Sequence, residues 1–157
     1  MKNLRTSALC LCALLISVVS FSQKENDRIN EPDYNKPKLF SNLPDRIPLS
    51  IEKINDLLKT DVGQSANLKV TTNASLQFDG EIISKASKYE NTIQSVVIRC
   101  ANFNGATLTL SKITNADGTI SYTGRIISFK HGDLYVLQGK GDDLTLVKKN
   151  YHELVNE

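Results

Sequence analysis

Ala106-Thr107-Leu108-Thr109-Leu110-Ser111 and Ile120-Ser121-Tyr122-Thr123-Gly124-Arg125-Ile126 decide the fold. In both runs apolar residues alternate with hydroxyl or charged ones. That is the period of a strand with one dry face and one wet face. Between them lies Asn115-Ala116-Asp117-Gly118, whose residue types favour a tight reversal. A link this short, without a helical pattern in it, requires antiparallel neighbours.

Reading outward, Leu76, Phe78, Gly80 and Ile82 repeat the same alternation. Further strands are expected at about 66–71, 92–100, 133–138 and 143–149. Turn-forming residues separate them at 102–105, 131–133 and 139–143. Gly80 and Gly124 interrupt the buried faces of their strands, where a bend would let the sheet curl. The expected fold is mainly β, a small antiparallel barrel or sandwich of about seven strands.

One short helix precedes the strands. Ser50 is placed to cap it, and Ile51, Ile54, Leu57 and Leu58 recur on one face. All four prolines lie before residue 49 and all eight glycines after residue 62. Residues 23–47 are polar and proline-punctuated, so they are expected to form an extended or disordered leader segment. The folded domain is then expected over 48–157.

The first 22 residues have the order of a secretory signal peptide. Lys2 and Arg5 precede an apolar run from Ala8 to Val19, and Ser20-Phe21-Ser22 offers small residues at the cut. That run is too short to span a bilayer. The expected location is therefore secreted or periplasmic, with no transmembrane segment after processing. Losing residues 1–22 removes two cations and no acid, so the net charge of +2 falls to zero. A neutral chain lacks the basic footprint that nucleic acid or anionic membranes require. Cys10 and Cys12 leave with the signal, and a solitary Cys100 forms no internal disulfide. It is expected as a small buried apolar side chain on a strand.

Candidate chemistry is sparse. His131-Gly132-Asp133 could set a base beside its orienting carboxylate, or be an ordinary turn. His152-Glu153-Leu154-Val155-Asn156 has the form of a zinc signature whose last ligand is replaced by asparagine, a poor ligand for zinc. No metal or cofactor is expected. Phe103, flanked by Asn102 and Asn104 at an expected loop tip, is a candidate anchor for a partner, or else folds back over the end of the sheet. Arg125 and the neighbouring threonines form a wet β surface that could also pair with another chain.

Ser95-Val96-Val97-Ile98, Gly105-Ala106-Thr107-Leu108, Tyr122-Thr123-Gly124-Arg125-Ile126 and Tyr135-Val136-Leu137 together resemble a known module. They are similar to the β-rich propeptide that precedes secreted zinc metalloproteases of the reprolysin type, over about 45 residues. The resemblance implies a free-standing, propeptide-like protein that binds a protease or assists its folding. Such propeptides often cap the protease zinc with a cysteine, and Cys100 lacks that local context. The expected function is that of an exported, non-enzymatic β-domain binding a protein partner or surface. The alternatives are a small exported hydrolase using His131 and Asp133, or a carrier of a small apolar ligand.

Overall fold

The computed structural model describes residues 35–69, 77–103 and 105–154, all within the unit Asp33–Glu157. The expected signal peptide, the start of the leader segment and Asn104 lie outside the described residues. The described residues form a mainly β fold: one antiparallel sheet curled into a half-barrel, with one α-helix. Its strands are β1 (Arg46–Leu49), β2 (Ser65–Lys69), β3 (Gln77–Lys88), β4 (Ile93–Cys100), β5 (Thr107–Thr114), β6 (Ile120–Ile127), β7 (Asp133–Lys140) and β8 (Asp143–Asn150). Helix α1 (Ile51–Lys59) joins β1 to β2. The strand order is β1-β8-β7-β6-β5-β4-β3-β2, a meander from β2 to β8 with β1 added at the far edge.

The sheet has eight strands where the periodicity suggests seven. The additional one is β1, which falls at the boundary of the expected leader segment. Pro48 disguises it, since proline cannot donate to a ladder. Here it is harmless. Pro48 lies opposite Thr145, and the two-residue hairpin from Lys140 to Asp143 directs the Thr145 backbone toward Gln138 instead. Ile47 and Leu49, on either side, face inward and are buried.

The concave face carries the core. Leu108, Leu110, Ile126, Tyr135 and Leu146 project into it, and α1 covers it with Ile54, Leu57 and Leu58. The nine residues of α1 are too few to be stable alone, so tertiary burial holds the helix. Ser50 takes the extended N-cap conformation without a side-chain capping bond. Tyr122 reaches across from β6, its hydroxyl 3.3 Å from Asn55 Oδ1.

Residues 35–45, part of the expected leader segment, form a strap across one end of the sheet. Phe40 is fully buried, its ring stacked at a tilt 5.2 Å from Tyr135 and 5.5 Å from Phe103. The Leu39 and Phe40 amides donate to the two carboxylate oxygens of Asp133 at 2.7 and 2.8 Å. The Tyr135 hydroxyl donates to the Pro44 carbonyl. Lys148 donates its ammonium to Leu43 O and pairs with Asp45 at 3.1 Å. Polar, proline-rich composition therefore hides one deeply inserted aromatic.

Candidate functional site

The five residues between β6 and β7, Ser128–Gly132, form a loop beside the strap. Its backbone closes by a 3.0 Å bond from His131 N to Ser128 O, and Ser128 Oγ lies 2.8 Å from His131 Nδ1. Gly132 N donates to Pro37 O, and Tyr151 N to Gly132 O. Lys36 Nζ donates to Phe129 O at 3.0 Å and sits 5.3 Å from the Tyr151 ring centre. A Cβ on Gly132 would lie 2.9 Å from Lys36 O, so strap and loop meet closely there. These bonds fix the loop's backbone at both ends. Its apolar tip nevertheless points outward: Phe129 is 70% exposed, next to exposed Lys130.

This geometry separates His131 from Asp133. The Asp133 carboxylate is buried and directed at the strap amides, while the His131 ring bonds the fully buried Ser128 hydroxyl. The two side chains therefore do not form a base and its orienting acid. Ser128 and His131 form a local contact three residues apart, in which burial denies a substrate access to the hydroxyl.

Phe103 takes the inward of its two candidate roles. Its ring packs 5.1 Å from Phe78 and against Phe40, closing the end of the core. Asn102 serves the same end of the sheet, donating Nδ2 to Gln77 O and accepting from Asp79 N at 3.2 Å. Arg125 lies exposed on the convex face, in register with Thr109 and Val136. None of these residues lies in the loop that carries Phe129. Cys100 is buried on β4, and burial pushes its thiol from 9.0 up to about 11, opposed by a hydrogen bond with the Leu108 backbone. Such a thiol is a packing group, not a nucleophile. Among the described residues, no three His, Cys, Asp or Glu side chains gather as a metal site. No described helix is long and apolar enough to cross a membrane.

Phe129 had a weak sequence signal, an aromatic in a short stretch of serine, lysine, histidine and glycine. Phe103 has the same kind of setting, and only long-range packing tells the two apart. No protein-family model, characterised protein or solved structure matches the chain.

Proposed function

We propose that this protein is an exported, non-enzymatic β-domain that binds a protein partner through the Ser128–Gly132 loop. The observation that carries the reading is Phe129, a 70% exposed aromatic on a loop whose backbone is bonded to the strap and to Tyr151. Fixing the loop before binding lowers the ordering cost of association. Aromatic anchors that enter a partner's pocket dominate interface energetics. Lys36, bonded to the Phe129 carbonyl, and the exposed Lys130 next to it in the chain favour a partner whose pocket has an acidic rim. The resemblance to protease propeptides supports a partner among exported hydrolases, and the signal-like residues 1–22 support meeting it outside the cytoplasm.

The test is capture of partners from the exported fraction of the source cells, with the native protein and Phe129→Ala as paired baits. The variant should keep its thermal midpoint, because an exposed ring contributes little to folding, and should lose the specific partner. Retention of that partner by Phe129→Ala, or capture of none by the folded native protein, would refute the reading. Hydrolytic activity abolished by His131→Ala would instead favour the enzyme alternative.

A further inference from the structure

Strands β6 and β7 are adjacent in the sheet but pair over only three positions, Arg125↔Val136, Ile126↔Tyr135 and Ile127↔Leu134. On its other side β6 pairs with β5 over its entire length, Ile120 to Ile127. On its other side β7 pairs with β8 from Asp133 to Lys140. The two strands therefore part company beyond Arg125 and Val136, each still held by its outer neighbour.

The alternation of antiparallel bonds identifies the groups that line the gap. The β5–β6 hairpin closes with Asn115 N donating to Thr119 O at 2.8 Å. Alternation from that pair directs the odd residues of β6 to β5, and the even residues Ile120, Tyr122 and Gly124 toward β7. The Lys140–Asp143 hairpin likewise commits the even residues of β7 to β8, so Leu137 and Gly139 face β6. Beyond the last ladder pair, Ile120 and Tyr122 on one wall and Gly139 on the other pair only with their outer neighbours β5 and β8, and their gap-facing backbone groups lie outside the β6–β7 ladder.

Gly139 lies on the far side of the parting. Its φ is +116°, and a Cβ there would lie 1.8 Å from Asp143 O. Only glycine takes this conformation without strain. Beside it is a cavity of about 390 Å³ lined by Ile120, Ser121, Tyr122 and Leu144. Lys140 is the lone charged side chain in its wall.

We infer that this cleft is a binding site for an extended peptide segment, which enters as an extra strand between β6 and β7. Backbone donors and acceptors that lie outside the ladder on both walls are matched by another strand, which presents such groups on both of its edges. A helix, about 10–12 Å across with its backbone groups bonded internally, fits neither the size nor the chemistry. A single charge in the wall makes recognition depend on main-chain bonds, with small side chains toward Tyr122 and Leu144. The site lies at the opposite end of β6 from Phe129, so either can fail without the other.

The experiment is an amide-resolved NMR titration of the isotope-labelled protein at millimolar probe. The probe is a blocked hexapeptide of alternating threonine and valine, compared with a twin N-methylated at alternate nitrogens. The expected result is shifts confined to Ile120, Tyr122, Gly139 and Lys140 with the first peptide and none with its twin. Ile120→Pro, which removes a cleft-facing N–H at the first position of a strand, should weaken binding about tenfold. Phe129→Ala should leave it unchanged. Absence of shifts at the cleft, or equal binding of the N-methylated twin, would overturn the inference. The twin makes the test independent of whether the proline variant folds.

Discussion

The two ends of the β6–β7 pair differ in how completely their backbone is used. At the strap end, Ile126 and Tyr135 sit within the ladder, and the neighbouring Asp133 bonds two strap amides with both carboxylate oxygens. One ladder pair further on, beyond Arg125 and Val136, the pairing stops, and a cavity lies between Tyr122 and Gly139. The contrast teaches that one pair of strands can supply a locked corner and an open one. The locked corner holds the fold and presents a loop outward, while the open corner leaves main-chain groups for a partner.

The largest expected effect lies in the locked corner. Phe40→Ala empties a fully buried site between Tyr135 and Phe103 and should cost about 3–5 kcal/mol in urea unfolding. A loss under about 1 kcal/mol would mean that the strap merely lies on the sheet, and the contrast would dissolve. Asp133→Ala comes next. It leaves the buried Phe40 amide and the partly buried Leu39 amide without their charged acceptor, a loss of about 2–4 kcal/mol.

A smaller effect belongs to Tyr135, and it has a sign in pH. Burial, then the nearby Asp45 and Asp133 carboxylates, raise its hydroxyl well above its ordinary 10.0. A raised folded value means that the stability this group contributes is whole below pH 10 and is lost as pH rises through the folded value. Tyr135→Phe removes the bond to Pro44 O, costing about 1 kcal/mol near neutrality. The variant should also lose stability less steeply than the native protein above pH 10. Parallel alkaline unfolding curves would show that the hydroxyl is not held protonated by the strap corner.

The strands from β2 to β8 were legible because their period of two needs only local information: a sheet with one buried face imposes alternation on every residue. Helix α1 was legible for the same reason at its own period. What stayed hidden depends on residues far apart in the chain. The burial of Phe40 is decided by Asp133 and Tyr135, more than ninety positions away. Phe103 and Phe129 both sit in polar turn stretches, yet one closes the core and the other faces solvent. Pro48 masks β1 in the sequence, although Ile47 and Leu49 around it carry the strand alternation. For the cleft, Gly139 announced a turn, whereas the direction of the backbone groups follows only from the register of two separate hairpins.

The smallest effect should appear as no change in global stability at all, but as a difference in local opening between amides of the same strands. Amide exchange at Ile126 and Tyr135 must await disruption of the ladder and its packed side chains, whereas at Tyr122 and Gly139 no ladder bond protects the N–H facing the gap. Protection of the first pair should exceed that of the second by about a hundredfold or more under native conditions. Addition of a strand-forming peptide should raise protection at Tyr122 and Gly139 selectively. Equal protection in the free protein would mean that β6 and β7 zip together in solution along their length. The open corner would then be a closed one, and the free backbone edges that motivate strand insertion would already be taken by each other.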